Sequence, residues 1–247
     1  MPAIRHLCRA FMALPFLLLC ALAQASVVLS GTRIIFPASE KEATLQITNS
    51  GDLPAVVQAW LDKGDSTASL QNVSVPFVMT PSLFRMEPRK GQTLRIIHSG
   101  EPLPTDRESL FWLNVLDVPP KAQDEEDANS LQFAFRTRIK LIYRPKGLQG
   151  TALDAPAQLQ WSLRTQADGR LALQARNGTP FIVNLGDIAL ESGGHSANAG
   201  AGHVLPGQTA DFPLPESAST GLRGGTVKFT AINDWGGGQS HEAPLAR

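Results

Sequence analysis

Apolar and polar residues alternate with a period of two along most of this chain, and no long stretch keeps a helical period. The clearest case is Leu131 to Pro145, reading LQFAFRTRIKLIYRP. Leu131, Phe133 and Phe135 fall on one face and Gln132, Ala134 and Arg136 on the other, which predicts a half-buried strand. Extended throughout, this stretch would reach roughly 50 Å, well beyond a usual strand of about five or six residues. Large apolar groups at the start of such a strand need a cover. Either the chain's own core supplies it, or a partner adds a strand alongside.

The rest of the chain repeats the pattern in short form. Val27, Leu29 and Ile34 to Phe36 read as one first strand, stopped by Pro37. Ala43 to Asn49 and Ala55 to Leu61 follow, with Trp60 in the core and a turn at Asp62 to Ser66. Val73 to Thr80, Ser82 to Met86, Thr93 to His98 and the strongly apolar Ser109 to Val118 come next. Lys121 to Ser130 is a polar, solvated connector, and Lys146 to Gly150 a linker. Beyond it, Leu159 to Leu163, Leu171 to Ala175, Phe181 to Leu185 and a last strand, Gly224 to Ala231, resume the alternation. Gly193 to Gly202 reads as a flexible surface loop. Short strands separated by Gly, Pro and Asp turns predict an all-β sandwich architecture.

Residues 1 to 25 lie outside this pattern. Arg5 and Arg9, the apolar run Phe11 to Leu22 and Ala23-Gln24-Ala25 form a secretory signal peptide, with cleavage expected after Ala25. Both cysteines, Cys8 and Cys20, fall inside it, so an exported chain with no disulfide is expected. The remaining length allows two domains of roughly 100 residues. Without Arg5 and Arg9 the 22 basic residues become 20 against 22 acidic ones, a net charge of −2. That balance gives no reason to propose nucleic acid or an anionic membrane surface as partner, and no other stretch is apolar enough to insert in a membrane.

Candidate chemistry is sparse. Arg33 interrupts an apolar strand, either snorkelling at its edge or waiting for an anion. Glu108 precedes a core strand, where a carboxylate is either solvated or tied to an arginine across the sheet. His195 and His203 lack acidic or cysteine company, and neither a metal nor a cofactor is expected. No Gly-x-Ser-x-Gly, His-Glu-x-x-His or cysteine nucleophile is present, and an enzyme is not expected.

The block Leu103 to Pro119, with Asp106-Arg107-Glu108-Ser109 and Asn114, resembles the signature of the periplasmic pilus chaperones of the chaperone–usher pathway, the PapD-type proteins. Thr32-Arg33, Thr80-Pro81, the ending Lys140-Leu141-Ile142-Tyr143-Arg144-Pro145 and Ile232 to Gly237 add to the match. It spans essentially the whole chain after the signal peptide.

The resemblance implies two immunoglobulin-like β-sandwich domains at an angle with a cleft between them, over residues 26–146 and 147–247. Such proteins bind one pilus subunit each, lend it a strand that completes its unfinished sandwich, and deliver it to an outer-membrane usher. On this resemblance Leu131, Phe133 and Phe135 match the donor residues, and two Phe imply wide pockets in the cognate subunit. Arg33 and Lys140 match a basic pair that grips the subunit's C-terminal carboxylate. Strict alternation sets Lys140 on the face opposite Phe135, which requires a twist or bulge near Thr137-Arg138, or a carboxylate arriving from the side. Glu108, Arg144 and Asp234 match an inter-domain ionic network. Thr80-Pro81 matches a position where the family has a cis proline, although X–Pro bonds are mostly trans. The short loop before the donor strand implies the branch serving rod-like pili. A monomer or weak dimer in the periplasm is expected. The alternative is a secreted structural sandwich, a pilin or adhesin subunit, which would polymerise. A third is a chaperone-like protein serving another exported client.

Overall fold

The computed structural model describes residues 27–65, 67, 74–120, 133–216 and 224–246. The expected signal peptide, the connector Lys121 to Ser130 and Leu131 lie outside the described residues.

Strands β1 to β9 build the first sandwich. They are β1 Val27–Leu29, β2 Arg33–Pro37, β3 Glu42–Asn49, β4 Ala55–Asp62, β5 Phe77–Thr80, β6 Leu83–Met86, β7 Gly91–His98, β8 Ser109–Val118 and β9 Phe135–Arg144. One sheet runs β1-β3-β7-β5 and the other β2-β9-β8-β4-β6. Alternate residues point inward: Ala43, Leu45 and Ile47 from β3 meet Phe111, Leu113 and Val115 of β8 and Ile139 and Leu141 of β9 in one core. The expected first strand is two. The chain bends at Ser30 to Thr32, so Val27 to Leu29 pairs with β3 in one sheet while Arg33 to Pro37 runs parallel to β9 in the other. The Thr80-Pro81 peptide is cis.

The second sandwich comprises β10 Gln160–Thr165, β11 Leu171–Arg176, β12 Val183–Ser192, β13 His195–Val204, β14 Thr209–Pro213, β15 Thr226–Ile232 and β16 Gly238–Pro244. Its sheets are β10-β11-β14 and β13-β12-β15-β16. Trp161 is buried at its centre, 5.2 Å from the Phe229 ring and 6.0 Å from Phe212. Two expectations fail here. Gly193 to Gly202 is not a loop but most of a hairpin with β12. Its small residues serve close packing: Ala197 and Ala199 are buried, and a Cβ on Gly202 would stand 2.9 Å from the Phe212 ring. The strand at Thr226–Ile232 is not the last, because the polar β16 pairs with it as an edge strand.

The long strand is shorter than its pattern. β9 covers Phe135–Arg144, and Phe133 precedes it. Its register with β8 runs without interruption from Ser109 opposite Tyr143 to Asp117 opposite Phe135. There is no bulge at Thr137-Arg138, so Lys140 stands on the face opposite Phe135 by plain alternation.

Candidate functional site: a basic cleft beside an open strand edge

The five-stranded sheet turns its outer face toward the second sandwich. Parallel pairing of β2 with β9 puts Arg33 opposite Lys140, and antiparallel pairing puts Lys140 opposite Trp112. Two cations are thus neighbours on one pleated face. Lys140 Nζ donates to Asn184 Oδ1 of the second sandwich at 2.6 Å and lies 5.6 Å from the Trp112 ring centre. Burial and the neighbouring Arg33 charge pull its pKa down to about 8. Arg33 donates through Nη1 to the Ile232 carbonyl at 3.3 Å, and burial lowers its pKa too, partly opposed by Asp234. Among the described residues neither cation is ion-paired to a carboxylate, and two half-buried neighbouring cations would be favoured by an anion beside them. His203 stands beside them, its ring 6.2 Å from Trp112, held neutral by burial and by Lys140 with its pKa down to about 4.

At the other end of β9 the two sandwiches are tied together. Arg144 forks onto Asp234, Nη1 to Oδ2 at 2.7 Å and Nη2 to Oδ1 at 2.9 Å, and donates through Nε to Glu108. The Ile182 amide donates to the other Glu108 oxygen at 2.7 Å, and the Glu108 amide donates to the Pro180 carbonyl. Burial pushes the Glu108 carboxyl above its usual range despite Arg144 and the Ile182 amide. Burial also opposes the Arg144 charge, but Asp234 and Glu108 outweigh it and raise its pKa. Nearby, Gly236 lies so close to Thr32 that a Cβ there would sit 2.6 Å from the hydroxyl, and its φ of +85° favours glycine. The matched segments Thr32-Arg33 and Asp234 to Gly236, about 200 residues apart in sequence, therefore meet at one junction.

Between these ends and the chain's outer rim, β9 changes character. β2 pairs only with Lys140 to Arg144. Among the described residues, no strand pairs with that edge of Phe135 to Ile139. Phe133 and Phe135 are each 60% exposed, their rings 6.5 Å apart. An unpaired edge with exposed aromatics is a template for another strand. Leu131 lies outside the described residues.

The sequence reading missed the middle of this face. Asp62, expected in a solvated turn, is 2% exposed at the end of β4, and Trp60, expected in the core, lies partly buried on the outer face. Arg138 bonds to Asp62, Arg136 to Asn114, and their guanidinium groups lie over Trp112 and Trp60 at 4.3 and 4.9 Å. β4 continues one residue past the expected strand end, which puts Asp62 on the same face as Trp60. Only the pairing of three distant strands shows what lies on that face.

Comparison with known proteins places the chain in a family. Residues 26–149 match the family described as pili and flagellar-assembly chaperone, PapD N-terminal domain, and residues 154–243 match the pili assembly chaperone PapD, C-terminal domain. The chain is 43% identical to the Bordetella pertussis chaperone protein FimB/FhaD over 229 residues, 91% of this chain and 90% of that one. The crystal structure of the YadV chaperone, a protein of Escherichia coli, superposes with a TM-score of 0.76 at 36% identity, covering 90% of this chain and all of that one. The Salmonella enterica SafB chaperone, solved in complex with SafA pilin, gives a TM-score of 0.74 at 30% identity over 91% of this chain and 99% of that one. The family's members are chaperones of pilus assembly, not enzymes. With two sandwiches, an inter-domain cleft and both family halves in order, this chain belongs to the PapD-like pilus-assembly chaperones.

Proposed function

We propose that this chaperone binds pilus subunits in one-to-one complexes by adding β9 to the subunit's incomplete sandwich. The observation that carries this reading is the division of a single strand. Phe135 to Ile139 offers an open edge with exposed aromatics, and Lys140 beside Arg33 begins a half-buried basic site. A subunit's C-terminal carboxylate seated on Arg33 and Lys140 would start its terminal strand along that edge. The carboxylate comes from the cleft face, while Phe133 and Phe135 fill the subunit's groove from the other face, together with Leu131. Seating the carboxylate sets the register, since a one-residue slip would exchange the two faces. The existence of a pilin-bound relative supports this mode of use.

The same proposal assigns Glu108, Arg144 and Asp234 the role of fixing the angle between the sandwiches, so that the basic site faces the open edge. It includes a signal peptide over residues 1–25 cleaved after Ala25, domains over 26–146 and 147–247, a periplasmic location, delivery to an outer-membrane usher, and a monomer or weak dimer when free. No cofactor or metal enters it. The short connector before β9 favours rod-like pili.

The experiment is co-expression of the exported chain with a pilus subunit encoded beside it. Wild type should yield a one-to-one complex, and Arg33→Ala with Lys140→Ala should stay folded and lose it. A double variant that keeps the complex would refute the carboxylate anchor. Wild type that captures no subunit would refute strand addition to pilus subunits.

A further inference from the structure

Along β9 a cation occurs at every second position: Arg136, Arg138 and Lys140. Lys140 belongs to the anion site. Arg136 and Arg138 point to the same face but reach back across their own sheet. Arg138 Nη2 donates to Asp62 Oδ1 at 2.6 Å. Asp62 Oδ2 accepts from Asn114 Nδ2 at 2.7 Å, and Asn114 Oδ1 accepts from Arg136 Nη2 and Nε at 2.7 and 3.0 Å. The Gly64 amide donates to Asp62 at 2.6 Å. Trp112, opposite Lys140 and Asp62, and Trp60, opposite Asn114, fill the alternate squares of this board and receive the two guanidinium faces. Asp62 and Asn114 are 2% and 0% exposed. A chain of hydrogen bonds therefore runs from β4 through β8 to the half of β9 that has no second neighbouring strand among the described residues.

That half has a particular need. A strand bonded on one side only frays, and fraying would let its side chains exchange faces. The guanidinium groups of Arg136 and Arg138, pinned to a buried carboxylate and a buried amide, cannot turn toward the face carrying Phe133 and Phe135. We propose that Asp62 is a positioning residue for the donated strand. Directly through Arg138, and through Asn114 to Arg136, it holds Phe135 to Ile139 extended against β8 before a subunit arrives. The subunit then meets a preformed edge and binds without ordering it first. This inference rests on the reading of β9 as the donated strand. It adds to that reading a residue on a strand two places away in the sheet, which touches neither the open edge nor the carboxylate site.

The test uses the exported chain and two variants. Asp62→Leu with Arg138→Leu replaces the buried pair by apolar groups, an exchange that is often neutral for stability. Asp62→Asn keeps the shape and an acceptor but removes the charge. Backbone amide exchange is read along the whole chain, with the unfolding midpoint measured in parallel. In the double variant the β8-bonded amides within Phe135 to Ile139 should exchange about tenfold faster or more, with β3 and β7 unchanged and the midpoint near wild type. Asp62→Asn should fall between the two. Affinity for the co-expressed pilus subunit should drop about tenfold by slower association, a loss of about 1.4 kcal/mol. Unchanged exchange at Phe135 to Ile139 would overturn the proposal. So would acceleration spread evenly over the first sandwich, which marks Asp62 as a general stabiliser. Because exchange is read without a subunit, failure of wild type to capture one counts against strand donation, while the exchange result still decides the role of Asp62.

Discussion

The two halves of β9 carry similar alternation and live in different surroundings. From Lys140 to Tyr143 the strand has β2 on one side and β8 on the other, and the outer face of this half is bonded to the second sandwich through Lys140 and Arg144. Ile142, between those two on the same face, is 2% exposed. In Phe135 to Ile139 only β8 pairs with it among the described residues, and Phe135 is 60% exposed although it continues the row of the fully buried Leu141. What differs is the number of neighbours. Period-two patterning tells which residues share a face and is silent on whether anything covers that face.

The largest effect separating the halves should come at the junction. Arg144→Ala leaves Glu108 buried with no cation, and removing one member of a buried pair costs about 3–5 kcal/mol. Denaturant unfolding should show that loss together with weakened coupling between the sandwiches. A loss under about 1 kcal/mol would mean the junction is held by other contacts. Next come two truncations on one face of one strand. Leu141→Ala should cost about 2–5 kcal/mol, and Phe135→Ala no more than about 0.5 kcal/mol. Phe135→Ala should instead weaken subunit capture. Equal stability losses would erase the distinction between the halves.

Smaller effects follow from protons. Lys140, with its pKa pulled down to about 8, should regain its proton when a carboxylate binds. Complex formation therefore takes up protons and should weaken as pH rises through about 8, while Lys140→Arg should keep its affinity to higher pH. A flat profile between pH 7 and 9 would place the carboxylate away from Lys140. His203, near 4 when folded and about 6.5 when unfolded, binds more proton in the unfolded chain within that window. Stability should thus fall as pH drops from about 6.5 toward 4, and His203→Gln should flatten this part of the curve.

Much of this was legible in the chain itself. Alternation, Gly and Pro turns and the matched blocks around Glu108, Lys140 and Asp234 were enough to expect two sandwiches and a junction. Other features were not legible. The split between β1 and β2 depends on which sheet each half joins, and their shared apolar character conceals it. The β12–β13 hairpin was read as a loop because Gly and Ala resemble linker composition, although Gly202 is small to admit Phe212. Asp62 was read as a turn residue because Asp-Lys-Gly-Asp is turn chemistry. Its carboxylate does accept from the Gly64 amide, as turn residues do, but it also reaches Arg138 across 76 positions of sequence. No local pattern announces a bond of that span.

Strand addition at the open half of β9 is tested most directly by amide exchange on the free protein and on its complex with a pilus subunit. The account predicts new protection at the open-edge amides of Phe135 to Ile139, and little change in Lys140 to Arg144, which β2 already pairs. Protection that appears elsewhere on the first sandwich, with Phe135 to Ile139 exchanging as in the free protein, would contradict it.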